Sequence, residues 1–228
     1  MKIILTNDDG FDHSGIKSLY RALHKDHEVF LIGPDQNRSG FSSAITFLTP
    51  LKHKKYADNI FSINGTPLDC VKVAMNLLCP FKPDIVISGI NPGLNLGSDI
   101  LLSGTVGAAL EGRSLKFPSI AVSSAAFEKQ DFSFEAKFIK FLLTKIYKLE
   151  LNNFEILNIN IPDQKEYPEP DIKITNTYIN EKEFEAHSDL SDRACLAEGH
   201  ISISPIRIDT ISAEGKKKVD HWINENFK

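Results

Sequence analysis

The chain has 228 residues, 42% hydrophobic and 25% charged, with 26 basic against 30 acidic side chains and a formal net charge of −4. That balance supports one well-buried core, in one large domain with an appendage or two closely packed units, and excludes both a disordered chain and a surface built to coat nucleic acid. The amino terminus is too poor in apolar residues for a secretory leader, no run approaches the ~20 apolar residues of a membrane span, and Cys70, Cys79 and Cys195 form no Cys-x-x-Cys pair, so a reducing, cytoplasmic setting is expected.

Ile3-Ile4-Leu5 is a short apolar run stopped by Thr6-Asn7-Asp8-Asp9-Gly10, which reads as a buried first strand delivering two carboxylates at its carboxyl end. In open α/β sheets ligands bind in the crevice outside those ends, and adjacent carboxylates there suit a hard cation or a polar substrate. Alone, the same residues also compose an ordinary solvated turn. The spacing of Ile16, Leu19, Tyr20 and Leu23 predicts a helix with Ser14 as its cap. Glu28 to Gly33 is the second strand, and strand, helix, strand makes the first two strands parallel neighbours.

The polar stretch from Asp35 to Ser43 falls on the same rim as Asp8 and Asp9. Two extended pieces between His53 and Ile63 suggest a hairpin around Asp58-Asn59. Thr66 as cap, Pro67 at the first helical position and Asp69 at the third form a strong helix start, with Leu68, Val71, Met75 and Leu78 as the apolar stripe. The pattern then repeats. Ile85-Val86-Ile87 is a buried strand ending in a glycine-rich loop from Ser88 to Gly97, and Ser103-Gly104-Thr105 opens a helix of small residues. A strand at Ser119 to Val122, a helix from Phe132 to Leu149 with Phe134, Phe138, Phe141, Leu142 and Leu149 on one face, and a strand from Ile156 to Ile161 follow. Buried parallel strands alternating with helices specify an α/β fold: a doubly wound, mostly parallel, Rossmann-like sheet with helices on both faces.

Three prolines between Pro162 and Pro170 mark a border. Residues 1–161 are read as the core and 162–228 as a smaller antiparallel and helical region. In the latter, Ile201 to Ile208 alternates at period two, the mark of an antiparallel strand with one wet face, and a final helix bears Val219, Trp222, Ile223 and Phe227.

Four segments thus converge on one rim, bringing the Asp8 and Asp9 carboxylates, the Ser39 hydroxyl and the carbonyls of Asn91 and Asn95. Oxygen donors without imidazole or thiolate suit Mg2+, Mn2+ or Ca2+ rather than zinc, while Asn91 and Asn95 alone would also serve as loop caps. Ser103, Gly104 and Thr105 offer backbone amides at the positive end of a helix, a phosphate seat; a plain cap is the simpler use of Ser103. Cation and anion seats together point to phosphate-ester chemistry. Neither a Gly-x-Gly-x-x-Gly fingerprint, a P-loop, nor a Gly-x-Ser-x-Gly elbow is present.

These stretches together closely resemble the SurE family of stationary-phase survival proteins, metal-dependent 5'/3'-nucleotidases. The likeness rests on Thr6 to Gly10, Pro34-Asp35 with Asn37 to Gly40, Gly65-Thr66-Pro67 with Asp69-Cys70-Val71, Ser88 to Asn91 with Gly93 and Asn95 to Gly97, and Ser103-Gly104-Thr105 with Ala109 and Glu111-Gly112. It returns near the end at Asp192, Ala194, Gly199 and Ile201 to Pro205. The resemblance implies one divalent cation per subunit, Mg2+ or Mn2+, on Asp8, Asp9, Ser39 and Asn91. It implies phosphate contacts from Asn95 and from Ser103 to Thr105, and catalytic roles for Asp8, Asp9, Asn91 and Asn95. The expected substrates are nucleoside 5'- and 3'-monophosphates, with short polyphosphate besides, attacked by activated water in preference to Asp8. The alternatives are a non-catalytic sensor of phosphorylated metabolites and a phosphatase acting mainly on polyphosphate or sugar phosphates. In one respect the chain departs from the family: Asp163 to Ala197 is short and acidic where relatives carry a long basic, aromatic arm exchanged between subunits. A homodimer is still expected, without support for the tetramer such arms build, and neither nucleic-acid polymers nor membranes are expected as partners.

Overall fold

Alternation along the first strand sets the layers. In β1 (Lys2–Thr6), Ile3 and Leu5 face one side of the sheet and Ile4 the other, and all three are fully buried. Both faces must therefore be covered, and they are. The computed structural model describes residues 1–126, 131–151, 154–178, 191–208 and 213–226. Helices α1 (Ser14–Leu23) and α4 (Ser133–Leu143) cover the face of Ile3 and Leu5 through Ile16, Leu19, Leu23, Ala136, Ile139 and Leu143. The opposite face is closed by α2 (Pro67–Val73) and α3 (Gly104–Glu111), with Cys70, Val71 and Ala108 against Ile4, Phe30 and Val86.

The sheet has nine strands: β1, β2 (Glu28–Pro34), β3 (His53–Ala57), β4 (Ile60–Ile63), β5 (Ile85–Pro92), β6 (Ile120–Ser124), β7 (Ile156–Ile161), β8 (Ile172–Ile174) and β9 (Ile201–Ile206). Their spatial order is β3-β4-β2-β1-β5-β6-β7-β9-β8. From β4 to β7 every neighbouring pair is parallel, including the expected β1–β2 pair. The expected hairpin is β3 with β4, antiparallel and bulged between Lys55 and Ala57. Strand β9 runs antiparallel to β7 and parallel to β8. Order therefore reverses on either side of β1 and β5, and the crevice at a reversal opens at their carboxyl ends, where Asn7 to Gly10 and Asn91 lie. A short helix, α5 (Asp192–Ala197), and the terminal α6 (Ala213–Asn226) complete the described chain. Among the described residues no helix is long and apolar enough to cross a membrane.

Four expectations are corrected. His13, not Ser14, caps α1, its Nδ1 accepting from Gly15 N at 3.2 Å. Strand β5 does not stop at Ile87 but continues to Pro92 through a bulge between Ser88 and Asn91, so Asn91 sits on a strand end rather than in a loop. The long helix expected to Leu149 ends at Leu143, where the Thr144 hydroxyl bonds the Phe141 carbonyl, and resumes as a tight turn over Ile146–Lys148. Ile146 is buried in that turn, while Phe141, on the helix, and Leu149 are exposed rather than on one buried face. Ser202 and Ser204 do not make a wet face: both are fully buried, and the Thr175 hydroxyl lies 2.7 Å from each of theirs. Alternation reports two different surroundings, and here the second is a buried polar layer. Residues 179–190, inside the expected short arm, and Phe227 lie outside the described residues.

The start of α2 reaches beyond itself. Thr66 and Asp69 form the expected reciprocal cap, and the Asp69 carboxylate also accepts from Thr46 N at 3.1–3.2 Å, tying down the loop between β2 and β3. Asp69→Ala orphans the Thr66 and Thr46 amides, and a loss of about 2 kcal/mol is expected in urea unfolding, with faster proteolysis between residues 41 and 51.

Candidate active site

Asp8 leaves the end of β1 pointing inward, 3% exposed, and Asp9 follows with a carboxylate nearly as covered. What lies over Asp8 is the start of α3. The Thr105 hydroxyl donates to Asp8 Oδ1 at 2.5 Å, and a Cβ added to Gly104 would stand 3.0 Å from Asp8 Cβ and 3.1 Å from Oδ2. Glycine at the first helical position lets the helix end approach the carboxylate this closely. Alanine there gains helix propensity but presses on Asp8 and, at 3.1 Å, on Pro67 Cγ, so Gly104→Ala is expected to change the melting temperature by only a few degrees and lower turnover about 10-fold.

The loop after β2 is drawn to the same place by its backbone. Arg38 N donates to the Asp8 carbonyl at 2.7 Å, which ties the loop carrying Ser39 to the end of β1, and an Asn37-capped turn (Ser39 N to Asn37 Oδ1, 2.9 Å) leaves the Ser39 side chain exposed. Further on, Ser42 bonds the Leu101 and Leu102 carbonyls, stitching this loop to the turn that precedes α3. Asn91 is partly exposed at the end of β5, with Nδ2 donating to the Gly93 carbonyl at 2.7 Å. Because Nδ2 faces its own loop, Oδ1 is the atom left for a ligand. Asn95 is nearly buried, 7% exposed, and donates from Nδ2 to Ser123 Oγ, which leaves one Nδ2 hydrogen, and Ser123 in turn pairs with Asn91 across the sheet. Ser103 caps α3 by accepting from Val106 N, and Thr105 is turned to Asp8 by its backbone N–H as well as its hydroxyl, so of the expected phosphate seat the Gly104 amide is the donor left at that helix start.

Burial raises the pKa of Asp8 despite the Thr105 bond, and burial together with the Asp8 charge pushes Asp9 to about 7. Asp9 Oδ2 and Asn7 Oδ1 are both buried without a hydrogen-bond partner among the described residues. His13 Nδ1, at 3.8 Å from Asp9 Oδ2, is too far to satisfy it and already accepts from Gly15 N; burial also lowers its pKa. A divalent cation would fit these features: it would keep both carboxylates ionised and occupy an oxygen without a hydrogen-bond partner among the described residues. Among the described residues no three His, Cys, Asp or Glu side chains gather, so such an ion would need neutral oxygens to complete its shell.

Sequence reasoning missed three contributors. His13 carried no signal, since hydroxyl and Asx residues lead the capping preference and Ser14 stood next to it. Asn158 and Asn160, which hold Asn95, did carry one: two carboxamides alternating inside the otherwise apolar run Ile156 to Ile161.

The family model for survival protein SurE matches residues 3–184. A 5'-nucleotidase SurE of Pseudoalteromonas atlantica is 35% identical over 247 aligned positions, covering 99% of this chain and all of the other. One from Vibrio cholerae serotype O1 is 36% identical over 248 positions, covering 99% and 98%. Those alignments are longer than the 228 residues of this chain, so both relatives carry insertions relative to it. The crystal structure of the SurE protein from Aquifex aeolicus superposes with a TM-score of 0.84 at 33% identity, over 96% of this chain and 98% of that one.

Proposed function

The chain belongs to the survival protein SurE family, and from that premise we propose that it is a hydrolase of phosphoric monoesters, releasing phosphate from nucleoside 5'- and 3'-monophosphates and from short polyphosphate. The observation that carries the reading is the buried Asp9 Oδ2, without a hydrogen-bond partner among the described residues, beside a second buried carboxylate, at the carboxyl edge of a parallel sheet and under a helix start.

Asp8, Asp9, Ser39 and Asn91 would hold one divalent cation, Mg2+ or Mn2+. Such an ion supplies polarisation of a phosphoryl oxygen and a lowered pKa for an attacking water. The remaining work falls to this chain's own groups. Thr105 holds the Asp8 carboxylate by its hydroxyl, so that Asp8 keeps one orientation through the reaction. The Gly104 amide, at the positive end of α3, and the Asn95 carboxamide present N–H donors to the equatorial phosphoryl oxygens, where charge is spread in the transition state. In this proposal residues 1–161 carry every one of these groups, and 162–228 brace them.

Incubation with 5'-AMP, 3'-AMP, p-nitrophenyl phosphate and tripolyphosphate, each with Mn2+ or Mg2+, is expected to release phosphate, and EDTA to stop it. Absence of product from every substrate would leave a phosphometabolite sensor as the better reading.

We also propose assembly as a homodimer. On α6, Val219 and Ile223 lie one turn apart and are each about half exposed, an apolar stripe that costs free energy in water and that a second copy would cover. Light scattering is expected to give twice the chain mass, and Val219→Glu with Ile223→Glu to shift it toward one; a single-chain mass for the wild type would refute the dimer.

A further inference from the structure

Asn95, the proposed phosphate contact, is not held by the strand it follows. Its backbone is paired by side chains standing where a neighbouring strand would. Asn160 Oδ1 accepts from Asn95 N at 2.9 Å, Asn160 Nδ2 donates to Asn95 O at 3.0 Å, and Asn158 Nδ2 donates to the same carbonyl at 2.9 Å. Ser123 Oγ accepts from Asn95 Nδ2 at 2.8 Å. Asn158, Asn160 and Ser123 are all fully buried. Two residues beyond Asn95, Asp192 Oδ2 accepts from Gly97 N at 2.9 Å and holds the same segment from the other side.

Packing alone does not call for this arrangement. Asn158 and Asn160 point from one face of β7, while Ile159 and Ile161 supply the apolar core on the other. Burying carboxamides is costly unless their hydrogen bonds are made: Asn160 uses both ends, whereas Asn158 Oδ1 is buried without a partner among the described residues, so only Asn160 is fully fixed by its bonds. The Asn160 carboxamide is defined at both ends, since its oxygen must face an N–H and its nitrogen a carbonyl. That doubly defined amide sets the backbone of Asn95. Ser123 then sets the roll of the Asn95 side chain, engaging one of its two Nδ2 hydrogens.

We propose that Asn160, with Asn158 and Ser123, forms a positioning set that aims the second Asn95 N–H at the substrate's phosphoryl group. This rests on the phosphate-contact reading of Asn95 given above. Asn160 touches Asn95 and acts through it, while the proposed cation ligands depend on β1, the loop after β2 and the end of β5.

The decisive variant is Asn160→Asp, equal in size, which keeps the acceptor for Asn95 N and turns an oxygen toward the Asn95 carbonyl. The wild type, Asn160→Asp, Asn95→Ala, the double variant and Ser123→Ala are compared for kcat and KM on 5'-AMP and p-nitrophenyl phosphate, for Mn2+ affinity by titration, and for thermal melting. Asn160→Asp is expected to lower kcat about 10- to 100-fold with Mn2+ affinity unchanged. The double variant is expected to be no slower than Asn95→Ala alone, the non-additivity of residues acting through one another. Ser123→Ala should cost roughly 3- to 10-fold in kcat, and it carries the test against Asn95→Ala if Asn160→Asp does not fold. Wild-type kcat in the variants, losses that multiply in the double variant, or Mn2+ affinity falling in step with kcat would overturn the positioning role while leaving the nucleotidase reading intact. A wild type that hydrolyses no phosphomonoester overturns that reading and this one with it.

Discussion

Replacing Asp8 by asparagine is expected to lower phosphate release by about 1,000-fold or more while the protein stays folded. The two side chains are nearly the same shape, and the carboxamide oxygen of the variant can still accept from the Thr105 hydroxyl now bonded to Asp8 Oδ1. What disappears is a buried negative charge, and with it half of the carboxylate charge available to a divalent ion. The substitution therefore separates two quantities that usually fall together. Without cation, the variant should be as stable as the wild type or more so, because two adjacent carboxylates repel and are poorly solvated. Addition of Mn2+ should stabilise the wild type by about 2.7 kcal/mol at 100 times the dissociation constant, roughly 5–10 °C in melting temperature for a chain of this size. The variant should show little of that rise. Turnover near the wild-type value would sink the assignment of Asp8, and an undiminished Mn2+ shift would show that the cation binds elsewhere.

Gly15→Ala should produce the largest loss of stability. Gly15 opens α1, and a Cβ built on it would stand only 2.1 Å from the Ile90 carbonyl oxygen, 3.0 Å from the carbonyl carbon and 3.3 Å from the nitrogen. All three atoms are backbone, so no rotamer change relieves the overlap: either α1 moves off the sheet or the end of β5 gives way. The first course withdraws Ile16, Leu19 and Leu23 from a core in which all three are fully buried. Overpacking of this kind costs about 3 kcal/mol, or roughly 6–12 °C in melting temperature. Helix propensity works the other way, by at most about 1 kcal/mol, and does not rescue the variant. The second course moves Ile90, and Asn91 with it, so activity measured well below the melting point should also fall. A melting temperature within a degree or two of the wild type would mean that α1 sits farther from β5 than the structure places it.

Most of the architecture was legible along the chain, and the misreadings have identifiable causes. The buried strands β1, β5 and β7 announced themselves as apolar runs with polar stops, and the α2 start could be read residue by residue because Thr66, Pro67 and Asp69 act within one turn. The helix after Phe132 was read too long because apolar residues continue past Leu143 at nearly helical spacing; periodicity does not register the Thr144 hydroxyl turning back on the Phe141 carbonyl. Ser202 and Ser204 were taken for a solvated face because hydroxyls are mostly found in water, yet the Thr175 hydroxyl supplies what water would have. The candidate site was legible as a set of donors. Its arrangement was not: nothing near Thr105 in the chain indicates that its hydroxyl belongs to Asp8, and Asn95 gave no hint of being buried.

By itself, then, the sequence determined the alternation of strands and helices, the parallel pairing of the first two strands, the cap of α2, and the chain positions of the oxygen and amide groups. These follow from interactions within a turn or along a strand, which neighbouring residues encode. The tertiary structure alone decided that Arg38 N finds the Asp8 carbonyl, that Thr105 bonds Asp8 across 97 positions and that Asn160 pairs with Asn95 across 65. A buried polar atom must be satisfied by whatever group the packed sheet brings beside it, and no local pattern specifies which distant residue that will be.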